Sequence, residues 1–192
     1  MRDLGIVLDS QLTMFAHVSS VCRSASHPLR QLLPIIRSLS VDVAKTLVHA
    51  FVSSRLDYCN CVLIGTADGL MRRLQAVQNA AARLITGTRR RDHITPILRQ
   101  LHWLAVCQRA EFKLAMLVFK SLHGLAPLYL VDDCQLVTAS GRRQLRTSDA
   151  KTCVIQHTRT RLGDRSFAVS ESRLWSSPSW DFAVLSVSSL VR

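Results

Sequence analysis

The chain has 192 residues, 48% of them apolar and 20% charged, enough for one ordinary globular domain or a small domain with a tail. Its 25 Lys and Arg outnumber 13 Asp and Glu, for a formal net charge of +12, and most of the cations are Arg. That balance favours polyanionic partners, chiefly nucleic acid or an anionic membrane surface, although surplus solvated charge would give the same total. No run approaches the roughly 18 apolar residues of a membrane span. The first residues lack the apolar run and cleavage site of a signal peptide. Six cysteines are scattered mostly through apolar helical patterns, which reads as reduced thiols in an intracellular protein, nuclear or cytoplasmic.

In chain order, Leu4 to Leu8 is a short apolar run that reads as a strand with no obvious hairpin partner. From Met14 to Ser38 the apolar residues fall at helical spacing, interrupted by Pro28 and Pro34. Each proline removes a backbone donor and clashes with the preceding turn, at roughly 3 kcal/mol in a helix interior, so a kinked or broken helix is expected. Ser40 can cap the next helix, with Asp42 in its first turn and Val43, Leu47, Ala50 and Phe51 sharing one face. Tyr58 to Leu63 is a short apolar segment closed by Gly65. A helix over Asp68 to Thr86 carries Leu70, Leu74, Val77, Ala81 and Leu84 as its stripe, with Gly87 as C-cap. Thr95-Pro96 starts another helix, and Val106 to His123 forms a strongly apolar one ending at Gly124.

After Val137 the composition turns to Ser, Thr, Arg and Gly without helical periodicity, so residues 138 to 166 read as loops with short strands around Thr152 to Ile155. The expected fold is mainly α. A strand over residues 1–10 precedes a helical domain over 11–137, and an irregular basic tail covers 138–192.

Catalytic constellations are sparse. The one Asp-Asp pair, Asp132-Asp133, follows a long helix and a Gly–Pro break rather than sitting between apolar strands, so it reads as a solvated loop or helix end. Cys59-x-Cys61 has no second pair at zinc-site distance. Cys107 with His102 reads as core rather than as a nucleophile and base. No metal, cofactor or small-molecule substrate is expected.

The basic residues carry more. Arg72, Gln75, Asn79 and Arg83 lie along one helix face, with Arg73 beside them; Arg109, Lys113 and Lys120 repeat the pattern on a later helix. Arg89, Arg90 and Arg91 and the tail arginines Arg142, Arg143, Arg146, Arg159, Arg161 and Arg165 add to the supply. Such stripes could follow a phosphate backbone without reading bases; ordinary solvated helix faces would look the same.

Ordered segments resemble the reverse transcriptases of non-long-terminal-repeat (LINE-type) retrotransposons, of the chicken-repeat or jockey-like kind. They are Leu4-Gly-Ile-Val-Leu-Asp9, Ala50-Phe-Val-Ser-Ser-Arg-Leu-Asp-Tyr-Cys-Asn60, Leu74-Gln-Ala-Val-Gln-Asn-Ala-Ala-Ala-Arg-Leu84, Asp92-His-Ile-Thr-Pro96 and Leu98-Arg-Gln-Leu-His-Trp-Leu104. Phe112-Lys-Leu-Ala, Phe119-Lys-Ser-Leu-His-Gly-Leu-Ala-Pro-Leu-Tyr-Leu130 and Thr160-Arg-Leu-Gly-Asp-Arg-Ser-Phe-Ala168 continue the series, which fades near Trp175. The resemblance implies a thumb and connection that grip a template–primer duplex, beginning beyond the palm, whose carboxylates have no counterpart here. It implies descent from an RNA-directed DNA polymerase, no catalysis by this chain alone, and as partners an RNA or DNA duplex or a palm supplied in trans. A protein-interaction domain, or a translated fragment without a retained role, fits the same residues.

Overall fold

Arg2–Asp3 (β1) and Ile6–Val7 (β2) form an antiparallel hairpin, with Arg2 opposite Val7 and Asp3 opposite Ile6. The apolar strand is therefore paired, contrary to the expectation from its sequence, and its partner is the chain just before it. The turn residues Leu4 and Gly5 have φ of 43° and 83°, the type I′ pattern that fits strand twist. Leu in place of the usual Asn or Asp hid that turn. Tyr58 secures it by donating its hydroxyl to the Leu4 carbonyl at 2.6 Å. Asp9 then orders the entry to the first helix, accepting from the Thr13 N–H at 2.7 Å and the Thr13 hydroxyl at 2.6 Å.

This computed structural model describes residues 1–134, 136–137, 153–160 and 162–176. It is mainly helical, with the hairpin as its one sheet among the described residues. The chain divides into two compact units, Met1–Ala110 and Glu111–Arg192. The division falls inside a helix rather than after residue 137.

In the first unit α1 spans Phe15–Leu32 and passes through Pro28 unbroken; of the two prolines expected to kink or break the helix, Pro28 does not break it. Pro28 has no N–H for the Ser24 carbonyl four residues earlier. Arg55 supplies the missing donor instead, its guanidinium reaching that carbonyl at 2.5 Å. Pro34 does stop the helix: Leu33 to Ile35 is a turn, followed by a short 3-10 segment, Ile36–Ser38.

Helix α2 (Val41–Val48) is capped by Ser40, whose side chain accepts from the Val43 N–H. It runs through a π-helical stretch, His49–Ser53, into α3 (Ser54–Asp57). The apolar face shared by Val43, Leu47, Ala50 and Phe51 is mostly not the buried one: of its members Leu47 packs half-buried against the core. Ala44, Val48, Val52 and Leu56 are buried, whereas Val43 and Phe51 are each 46% exposed and Ala50 is exposed. Both faces are apolar in sequence, so periodicity could not choose between them; packing on α1 and α4 did.

Helix α4 covers Asp68–Thr86 and ends at Gly87, whose φ of 68° is the left-handed conformation of a C-cap glycine. Leu70, Leu74, Val77, Ala81 and Ile85 are buried; Leu84, expected in that stripe, is only half-buried. Helix α1 packs along α4, with Val18, Ala25, Leu29 and Leu32 as its contribution to the core. After α5 (Ile94–Gln100), which holds Pro96 in its first turn, the chain enters α6 (Val106–Leu122). Two glutamines of α4 hold this entry: Gln75 accepts from the Val106 N–H at 2.9 Å, and Gln78 donates to the Leu104 carbonyl at 2.8 Å.

In the second unit α6 closes in a Schellman motif at Gly124, with Leu125 N–H on the Lys120 carbonyl and Gly124 N–H on the Ser121 carbonyl. Helix α7 (Leu128–Asp133) follows Pro127. An isolated antiparallel bridge joins Leu136 to Cys153, and only Cys153 falls in the stretch Thr152 to Ile155 expected to hold short strands. The pattern of the sequence gave no sign of α8 (Phe167–Trp175). Its buried positions are Val169, Glu171 and Ser172, and two polar residues among three erase the apolar stripe that marks a helix.

Candidate nucleic-acid interface

Six arginines of the first unit line two grooves, one between α1 and α4 and one beside the ends of those helices. A groove of about 330 Å³ is lined by Arg23, Arg30, His27 and two serines of α1, facing Arg73 of α4. A larger groove, about 1010 Å³, carries Arg37 on one wall and Arg83 and Arg90 on the other. Arg23, Arg30 and Arg37 are spaced by seven residues, as are Ala76, Arg83 and Arg90. Within α1 the seven residues from Arg23 to Arg30 are nearly two turns, which keeps that pair on one side of the helix, whereas Arg37 follows in the 3-10 segment beyond Pro34 and Arg90 lies past the Gly87 cap of α4.

Of the residues singled out in sequence, Arg72, Arg89, Arg90 and Arg91 are exposed. Arg73 is exposed with its guanidinium 5.1 Å above the Phe15 ring, close enough for cation–π attraction. Arg83 is half-buried and reaches the Asp92 carbonyl at 3.3 Å. Arg109 is half-buried and paired with Asp57, so its charge is already neutralised locally. The polar face drawn through Arg72 and Arg83 is not uniformly solvated: Gln75 bonds both Val106 and Asn79 and serves packing. Lys113 and Lys120 are exposed on the part of α6 that belongs to the second unit. In that unit Arg159 is exposed and Arg165 half-buried; Arg142, Arg143, Arg146 and Arg161 lie outside the described residues.

Arg23, Arg30 and Arg37 were missed in sequence. Pro28 argued against one helix carrying Arg23 and Arg30, which α1 nevertheless does, while Arg37 lies past the stop at Pro34. His27 joins them for the same reason.

Sites for other chemistry are poorly furnished. Asp132 and Asp133 are exposed at the C-terminal end of the six-residue α7, a helix end as expected. Among the described residues no group of three or more His, Cys, Asp or Glu is placed to hold a metal ion. Cys61 is half-buried and its thiol lies 3.8 Å from the Ala110 carbonyl. Cys107 is exposed on the first turn of α6, not core as its apolar surroundings suggested. Cys134 and Cys153 are buried, and burial pushes their thiols up to about 12 and about 11, far from the thiolate a nucleophile needs. Cys134 donates to Glu171 at 2.6 Å; burial raises that carboxyl to about 7.

No helix of the described residues is long and apolar enough to cross a membrane. Compared with models of known families, with curated proteins and with solved structures, the chain matches none.

Proposed function

We propose that this chain binds nucleic acid in a sequence-tolerant way, through the α1–α4 seam, as the thumb-like part of a LINE-type reverse transcriptase would hold a template–primer duplex. The observation that carries this reading is the gathering of Arg23, Arg30 and Arg73, with His27, on the smaller groove. Guanidinium forks suit phosphate oxygens, and α1 presents two of them, Arg23 and Arg30, nearly two turns apart. Arginine supplies most of the charge here, so affinity would come chiefly from the backbone and fall with salt. The activity proposed is binding, without catalysis by this chain alone.

The test is fluorescence anisotropy of a labelled RNA–DNA duplex with the full chain across a salt series. Log affinity should fall linearly with log salt, and Arg23→Ala with Arg30→Ala should flatten the slope by about 0.9 for each phosphate no longer neutralised. Binding that is indifferent to both changes, while the helical content is intact, would overturn the assignment.

A further inference from the structure

We propose that the larger groove of the first unit docks an acidic amphipathic helix of a partner protein. Its walls are aliphatic: Leu33, Pro34 and Ile36 lie just past the end of α1, and Ala76, Ala80 and Leu84 face them from α4. Leu33 is 62% exposed and the two alanines are open to solvent at least in part, so this surface is accessible at about 1010 Å³, room for a line of side chains. Ala76, Ala80 and Leu84 follow one another at four-residue spacing. They form a low ridge of small residues that lets a second helix approach closely.

The edges select the occupant's charge. Arg37, Arg83 and Arg90 line the groove and no acidic residue does. A helix with leucines on one face and glutamates flanking them would bury the first against the walls and set the second against the guanidiniums. A nucleic-acid strand could meet the arginines but matches the rest less well, since the lining has no aromatic ring for a base to stack on and the aliphatic walls would stay uncovered. A second copy is opposed by charge, because each chain carries +12. This site does not depend on the nucleic-acid reading, which rests on the smaller groove and its separate arginines.

The experiment uses a fluorescein-labelled synthetic peptide with leucines at helical spacing and flanking glutamates, a scrambled peptide of the same composition, and the full chain. The amphipathic peptide should bind about tenfold or more tighter than the scrambled one. Ala80→Leu, which fills the groove without changing charge, should weaken it about tenfold, and Leu33→Ser should weaken it too. Both sites are exposed, and circular dichroism checks that each variant keeps its helices. Equal binding of the scrambled peptide would show attraction by charge alone and overturn the proposal. So would indifference to Ala80→Leu, or a dimer in sedimentation that Ala80→Leu dissolves. Loss of duplex binding on Ala80→Leu would assign the groove to nucleic acid and overturn the proposal as well. Arg23→Ala tests the duplex reading separately, because it should leave the peptide's affinity unchanged.

Discussion

Arg55 lies 31 positions beyond Ser24, yet its guanidinium donates to the Ser24 carbonyl that Pro28 leaves without an intrahelical partner. A proline inside α1 is tolerated because a side chain from α3 takes over the missing hydrogen bond. Arg55→Met keeps the aliphatic stem and removes the donor, and should cost about 1–2 kcal/mol in urea unfolding. In a Pro28→Ala background the backbone N–H restored at that position can serve the Ser24 carbonyl, so the same change should cost clearly less. Additive costs in this double-mutant cycle would refute the relay.

The entry to α6 rests on Gln75, whose side-chain carbonyl accepts the Val106 N–H while its amide donates to Asn79 at 2.8 Å. Gln75→Ala should leave that first-turn donor unmet and lower stability by about 1 kcal/mol. The Val106 amide should exchange with deuterium faster than in the parent. An unchanged exchange rate at Val106 would rule this capping role out.

Gly163 sits where the chain folds back on itself. A Cβ there would lie 2.8 Å from the Thr158 Cβ, nearer than real contacts permit. Gly163→Ala should therefore destabilise the second unit by about 1–3 kcal/mol, an overpacking cost. The disturbance should spread to Asp164, which accepts from Thr158 and, at 2.8 Å, from Arg173. Thermal melts of the variant should show a lower midpoint; an unshifted one would mean that the segment yields without cost.

Two buried groups give opposite pH dependence. His17 is buried, accepts the Val7 N–H at 3.4 Å, and burial lowers its pKa from the ordinary 6.5. Below that value the unfolded chain takes up the proton first. The first unit should thus lose stability as pH falls from about 6.5 towards the folded pKa, and be unaffected above it. Glu171 runs the other way. Burial raises it from 4.5 to about 7, so the folded chain keeps a proton the unfolded chain has released, and stability is lost as pH rises from 4.5 to about 7. Hydrogen exchange resolved by segment separates the two. Glu171→Gln should abolish the pH slope of α8, and a slope that persists would place the titration elsewhere.

Helix existence was legible in the sequence wherever one face was apolar and the other was not. The span of α4, its Gly87 cap, the Ser40 cap of α2 and the Gly124 stop of α6 all follow from local chemistry: periodicity, capping side chains and glycine's access to positive φ. The strongly basic composition was equally plain, and so was the supply of arginines on α4.

Tertiary structure decided what depends on residues distant in sequence. Pro28 alone predicts a break; only the arrival of Arg55 removes the reason for one. Val43, Leu47, Ala50 and Phe51 form as good an apolar face as Ala44, Val48, Val52 and Leu56, and only the neighbours of α2 select which is buried. Asp57, Gln75 and Gln78 look like surface polar residues until Arg109, Val106 and Leu104 come within hydrogen-bond reach. Arg23 and Arg30 became neighbours of Arg73 because α1 is continuous through Pro28 and packs along α4. Periodicity and caps are properties of a few adjacent residues, so the chain states them outright. A satisfied carbonyl, a chosen face and a shared groove each require two remote segments to meet.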